Sequence, residues 1–315
     1  MSSRHSPCNV EAISNRGRPN PVANLQLAAN ESALFISTGA EGVYARTGLF
    51  EQVIEALSDF ITGYREPSTE VLRFPPVMNR RQLEISGYLH SFPHLLGVVS
   101  CIRGNESEIR NLVESPDWVT GLSATELVLA PAACYPVYPM AAGRGPLPDD
   151  GLLFDVASYC FRREATHELE RLQAFRMREY VRLGTADQIV NFRTSWMSRA
   201  ELIAKALGLP YEIVPASDPF FGRLGRIAAI SQLEQCLKFE LLIPVRSEGQ
   251  PAACMSFNYH RDHFGKAWNM QTRAGEVAHT GCIAFGLDRL ALALFATHGI
   301  DVRSWPAAVR ENLSL

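Results

Sequence analysis

A chain of 315 residues, 47% of them hydrophobic, can bury one large core or two modest ones. Its formal net charge of −3 shows no basic excess, which argues against a general nucleic-acid binder. Seven cysteines, an odd number spread widely without a CxxC pair, argue against a disulfide framework and for a reducing compartment. No run approaches the ~20 apolar residues of a membrane span, and Met1–Asn20 lacks the apolar stretch of a signal peptide. The expected location is the cytoplasm, with residues 1–20 a flexible N-terminus.

Residues 21–45 read as one or two short elements with a turn at Glu41-Gly42. Phe50, Val53, Ile54, Leu57 and Ile61 then fall on one face of an amphipathic helix over Phe50–Thr62, followed by the extended Glu70–Phe74 and Pro75-Pro76. A plain surface helix would show the same pattern. Glu106–Val113 and Ser123–Val128 suggest short helices, and Leu152–Cys160 is an apolar run of strand length.

The next stretch, FRREATHELERLQAFRMRE over Phe161–Glu179, gathers paired arginines, a charged loop, an aromatic and a carboxylate. Read as a hairpin, it puts Gln173, Phe175, Met177 and Glu179 on one strand face, and Arg162, Phe175 and Glu179 look into one pocket. HELERLQAFRMREY is also rich in helix formers, with Leu169 and Leu172 at helical spacing, so periodicity leaves both readings open. Ser198–Leu207 predicts a helix stopped by Gly208 and Pro210, then a strand over Tyr211–Pro215 and a loop, SDPFFGRLGR, running to Arg226. Ala278–Gly299 reads as a short apolar strand, a turn at Gly286, and a helix with a buried stripe of Leu287, Leu290, Ala291 and Leu294. Arg289 falls in the first turn of that helix, where a cation is electrostatically misplaced unless an anion sits beside it. An arginine reaching to solvent would look the same.

Taken in order, the helix–strand–proline segment, F-R-x-E with its loop, and G-x-x-R opening a helix resemble the three signature motifs of class II aminoacyl-tRNA synthetases. The residues between them resemble the catalytic core of the zinc-dependent, archaeal-type seryl-tRNA synthetases. Over roughly residues 45–310 the chain resembles a group of truncated seryl-synthetase homologues, the amino acid:[carrier protein] ligases. This implies an α+β fold, a class II synthetase-like antiparallel sheet flanked by helices, over residues 21–315 as a single domain that is homodimeric through the first motif. A carrier-docking insertion is expected around residues 187–226.

The resemblance also assigns roles. Arg162 would hold the ATP α-phosphate and Arg289 the γ-phosphate, Phe175 would stack on the adenine, and Glu164 would meet the adenine amino group or the loop. Arg163, His167, Glu168 and Arg171 would either close on the nucleotide or form a solvated charged loop. Cys134, Glu179 and Cys282 match the ligands of one Zn²⁺ per subunit, with an open position for the substrate amine, although an isolated cysteine is more often a small buried hydrophobe. His279, near Cys282, is expected to be supporting or structural. Glu179, Ser256 and Asn258 would bind substrate. Mg²⁺ is expected with ATP, but the family's magnesium-holding Glu before Ser256 is an alanine here, leaving Glu240 and Glu276 as substitutes. Arg193, Arg199, Arg223 and Arg226 are candidates for docking an acidic carrier, or simply exposed arginines on a solvated face.

The activity so implied is ATP-dependent activation of a small amino acid, glycine first and alanine next, to the aminoacyl-adenylate. Transfer to the phosphopantetheine thiol of a carrier protein would follow. Two alternatives are a minimal synthetase that charges tRNA and a non-catalytic synthetase-like paralogue. The stretch before Phe50 is too short for the coiled-coil arm with which seryl enzymes hold tRNA, so neither tRNA nor membrane is expected as a partner.

Overall fold

The computed structural model describes residues 13–15, 31–164, 168–246 and 251–315. The expectations for His167 and for most of the first thirty residues lie outside these. After β1 (Ile13–Asn15), β2 (Phe35–Ala40) and β3 (Val43–Arg46) form a hairpin whose turn falls at Glu41-Gly42. Gly42 has φ +70°, and its carbonyl accepts a hydrogen bond from Gln173 N at 2.8 Å, an approach a side chain would obstruct. Helix α1 (Gly48–Thr62) buries all five residues of its predicted stripe, and β4 (Glu70–Arg73) follows it.

A smaller sheet of β5 (Val77–Asn79), β6 (Val98–Ile102) and β7 (Leu122–Leu129) has the order β5-β7-β6. This corrects the helix expected at Ser123–Val128. Pairing on both sides, Met78 with Val128 and Cys101 with Ser123, overrides a short helical propensity. The helix expected at Glu106–Val113 forms, closed at its start by a capping box between Asn105 and Glu108.

Phe161–Glu179 is a hairpin: β8 (Leu152–Phe161) pairs antiparallel with β9 (Ala174–Gly184). Helix α2 (Ala186–Ala206) starts at a Thr185–Gln188 capping box, twelve residues before the expected Ser198. Strand β10 (Tyr211–Pro215) follows as predicted. The loop expected to run to Arg226 ends at Phe221, and residues 222–226 begin helix α3 (Gly222–Glu234). Gly225 invites a loop reading, yet a Cβ there would lie 2.6 Å from the Phe220 carbonyl carbon, so the glycine serves close packing within a helix. The chain then forms β11 (Lys238–Ile243), β12 (Ala252–Arg261), β13 (His279–Gly286) and the buried helix α4 (Leu287–His298).

Eight strands form the main sheet in the order β1-β10-β11-β12-β13-β9-β8-β4, antiparallel except where edge strand β4 runs parallel to β8. Strand alternation gives the sheet two faces. Tyr180, Phe257, Ile283 and Phe285 point into a core with α1, α2 and α4, where Tyr180 stacks on Trp196 at 4.6 Å. Met177, Val181, Cys282 and Ala284 point the other way, into a second core with Ala133, Val137 and Phe264. Gly281 lets α2 approach the sheet, since a Cβ there would lie 2.5 Å from Ile189. Among the described residues, no helix is long and apolar enough to cross a membrane.

On the helical face, Asp155 of β8 and Arg178 of β9 form a buried ion pair, with side chains 0% and 1% exposed. Two guanidinium nitrogens donate to the two carboxylate oxygens, at 2.9 and 2.6 Å, and Arg178 also donates to Ser58 O and, at 2.8 Å, to Thr62 Oγ1 of α1. Burial alone would raise the Asp155 carboxyl, but Arg178, Arg73 and Arg65 outweigh it and hold it below its ordinary 3.8. We expect Asp155→Asn to lower unfolding stability by about 3–5 kcal/mol, since it leaves a buried guanidinium uncompensated. A group with a depressed folded pKa stabilises above its unfolded value, so denaturant titrations should find the full deficit near neutrality and a shrinking one as pH falls through the folded pKa.

Candidate active site

The site grows from the register of three neighbouring strands. Asn258 of β12 lies opposite Cys282 of β13, and one step along Ser256 lies opposite Ala284, which lies opposite Glu179 of β9. All five residues line one cavity of about 470 Å³. Cys134 reaches it from the loop after β7, Arg162 and Glu164 from beyond β8, Phe175 from the start of β9 and Arg289 from the first turn of α4. The cavity thus gathers Arg162, Glu164, Phe175, Glu179, Ser256, Asn258, Arg289, Cys134 and Cys282.

At one end, a ligand atom from each of Cys134, Glu179 and Cys282 lies within 4.8 Å of the other two, and all three residues are buried. Glu179 Oε1 accepts from the backbone N–H groups of Ala133 and Cys134 at 2.8 and 3.0 Å, which fixes the carboxylate. The Cys134 thiol, burial and Glu179 together push Cys282 well above its ordinary value. Cys134 is lowered by its hydrogen bond with Cys282, but burial and Glu179 outweigh this and leave it raised. Three acidic groups packed together out of water suit a shared divalent cation, and two sulfurs plus one oxygen are a donor set for a borderline-soft metal with one position left open.

At the other end are two guanidinium groups. Arg289 donates to the carbonyls of Glu170 and Ala253 at 2.6 and 3.0 Å, and Arg162 donates to that of Pro131 at 3.0 Å while lying 5.5 Å from the centre of the Phe175 ring. Burial holds Arg289 below its ordinary value, and the Arg162 charge pushes the same way. Among the described residues neither arginine forms an ion pair. The nearby carboxylates are engaged elsewhere: Asp288 with Arg46 and Arg176, Glu170 with Arg246, and Asp218 with Lys238. Two guanidinium groups in one cavity, with no ion-pair partner among the described residues, make a site for a polyanion.

The remaining expected residues divide. Glu240 lines the cavity, 2.8 Å from Lys238 Nζ, whereas Glu276 is exposed and outside it. Arg193 turns inward, donating to Cys236 O at 2.6 Å and lying 5.2 Å from the Phe239 ring centre. Arg199 pairs with Glu66 at 3.1 Å and lies 4.9 Å from the Trp196 ring centre. Arg223 and Arg226 are exposed on α3. Arg163 is also exposed, and Glu168 and Arg171 pair with each other at 3.3 Å.

Sequence reasoning missed His260 and Lys238. His260 Nε2 lies 3.7 Å from Cys282 Sγ and Nδ1 lies 3.1 Å from Thr280 Oγ1, while His279 pairs instead with Tyr259 OH at 2.6 Å. Burial pushes His260 down to about 4, so the ring is neutral near pH 7. Strand alternation through Ser256, Asn258 and His260 was a usable signal for it. Lys238 pairs with Glu240 two residues along β11 and also reaches Asp218 of another segment, a contact that no local pattern announces.

No protein-family model matches the chain. It is 61% identical over 286 residues to amino acid–[acyl-carrier-protein] ligase 1 of Bradyrhizobium diazoefficiens, a match covering 90% of this chain and 88% of that one. It is 58% identical over 287 residues to ligase 2 of the same organism, with 90% and 86% covered. Among solved structures, M. kandleri SerRS in complex with A. aeolicus tRNASec superposes with a TM-score of 0.80 at 20% identity. That likeness covers 97% of this chain but only 62% of the other, and it shows a shared class II synthetase fold.

The cation pair predicts that inorganic pyrophosphate stabilises the protein, by about 2.7 kcal/mol at one hundred times its Kd. Thermal melts should show that rise in Tm for the unaltered protein and little of it for Arg162→Ala or Arg289→Ala.

Proposed function

Because the chain belongs to the amino acid–[acyl-carrier-protein] ligases, we propose that it activates a small amino acid, glycine first and alanine next, with ATP. The resulting aminoacyl-adenylate is then attacked by the phosphopantetheine thiol of a carrier protein, giving a thioester and AMP. The observation that carries this reading is the joining, in one cavity, of two guanidinium groups that form no ion pair among the described residues with a buried Cys–Glu–Cys cluster. One end suits a triphosphate and the other a metal that could hold an amine.

In this reading Arg162 neutralises the α-phosphate where negative charge grows as the substrate carboxylate attacks, and Arg289 holds the γ-phosphate of a bent ATP. Phe175 stacks on the adenine, with Glu164 near its amino group. No side chain forms a covalent bond, so the rate comes from positioning and from preorganised charge. Zinc bound by Cys134, Glu179 and Cys282, one ion per subunit, would supply an open coordination position that selects an α-amine. Ser256 and Asn258 border the same space, and Asn258 Nδ2 lies 3.4 Å from Cys282 Sγ. Mg²⁺ accompanies ATP, with Glu240 rather than Glu276 inside the cavity to meet it.

We assign carrier docking to α3, which starts in the expected insertion around residues 187–226 and runs past its end, in a single catalytic domain spanning 21–315. Its outer face exposes Leu224 (81%), Ile227 (59%) and Ile230 (57%) beside Arg223 and Arg226, an apolar strip with basic flanks that suits an acidic helical partner. Ala228, Ser231 and Gln232 of the same helix line the cavity, so a partner docked there has its tethered thiol close to the adenylate. Arg193 and Arg199 are committed to internal contacts and are left out of this surface. The proposal includes a cytoplasmic homodimer.

The test is transfer of labelled glycine, alanine and serine, with ATP, to a holo carrier protein and in parallel to total tRNA. Thiol-labile label on the carrier alone is expected; label on tRNA would make the protein a minimal synthetase. Arg162→Ala should abolish pyrophosphate exchange while keeping its zinc, and retained exchange would overturn the role given to Arg162. Cys282→Ser should lose zinc by elemental analysis and lose exchange with it; a variant that keeps both refutes the ligand set.

A further inference from the structure

Asp288 is 2% exposed and sits in the first turn of α4, immediately before Arg289. Its carboxylate makes no contact with Arg289. Oδ2 accepts from the backbone N–H of Arg176 at 2.6 Å, and Oδ1 accepts from Arg46 Nε at 3.0 Å and Arg176 Nη2 at 3.2 Å. Arg46 then donates from Nη2 to Ala174 O at 2.8 Å, and Arg176 donates from Nη1 to Glu51 of α1.

These bonds enclose Phe175 from both sides in the chain: the carbonyl before it is held by Arg46 and the N–H after it by Asp288. The cluster also draws on each of the three motif segments, Glu51 from α1, Arg176 from β9 and Asp288 from α4. Asp288 borders the cavity, and its carboxylate would cancel the charge offered to phosphate if it paired with Arg289. Arg46 and Arg176 engage it instead.

We propose that Asp288 is a positioning residue for the nucleotide, which sets Phe175 and Arg289 in register with each other and leaves the Arg289 charge free for phosphate; this rests on the ATP reading given above. Its carboxylate does not touch the substrate, and its effect is confined to the nucleotide end of the cavity. The metal end is held by separate contacts, from Ala133 and Cys134 to Glu179 and from Asn258 to Cys282.

The experiment is direct binding of a non-hydrolysable ATP analogue by calorimetry, together with pyrophosphate-exchange kinetics, for the unaltered protein, Asp288→Asn and Glu51→Gln. Asp288→Asn should lower exchange kcat/KM for ATP by about a hundredfold, as expected for a small misplacement of binding groups. Analogue affinity should fall with it, while KM for the amino acid and zinc content stay unchanged. Glu51→Gln, half exposed and with the buried carboxylate intact, should shift the same two quantities in the same direction by less. Unchanged analogue affinity in a folded Asp288→Asn overturns the proposal, as does an equal loss of amino-acid KM and zinc, which would mean general loosening. If Asp288→Asn does not fold, unchanged affinity in Glu51→Gln overturns it. Unaltered protein that binds the analogue yet catalyses no exchange would sink the activation reading and not this one.

Discussion

The Asp155–Arg178 pair is the constraint on which the rest of the structure depends. Two charges removed from water require complete satisfaction, and the geometry that supplies it joins adjacent strands β8 and β9 to α1 through Ser58 and Thr62. Because successive strand residues alternate, fixing Arg178 toward the helices fixes Glu179 toward the cavity. A slip of one residue in β9 would exchange the two, burying an unpaired carboxylate among the helices. The ion pair on one face therefore specifies the register of the metal-ligand cluster on the other.

The cavity keeps its polarity by a division of carboxylates. The acids near this end pair with Arg46, Arg176, Arg246 and Lys238, and among the described residues none forms an ion pair with Arg162 or Arg289. At the opposite end the imbalance is reversed, with three acidic ligand groups and a histidine that burial keeps neutral. One cavity thus has a cationic end and, opposite it, a cation-seeking end.

Much of this was legible in the sequence. The stripe of α1, the strand–turn–helix around Gly286 and the ordered motifs identify the fold, because each rests on local periodicity and its order along the chain. The Phe161–Glu179 hairpin was ambiguous by propensity, since its Leu and Glu content favours a helix. The motif order, not the local pattern, resolved it. Ser123–Val128 and the start of α3 were misread for complementary reasons. In β7 two partner strands override a weak helical preference, and in α3 the end of SDPFFGRLGR, read as loop, is helical, with Gly225 meeting a packing need. Lys238 reaches Asp218 in another segment, and the Arg46–Asp288 contact spans 242 residues. Such pairings have no local signature.

Helix α3 sits between two jobs. Its inner residues finish the cavity wall, and its outer apolar strip is held in place by Phe220 and Phe221, which stack on Phe92 and His94 of a neighbouring loop. None of the outer strip residues lines the cavity or joins the ion clusters behind it. Substitutions on the outer face can therefore accumulate without touching the cavity lining. A helix built in this way can change its surface while leaving the charges behind it as they are.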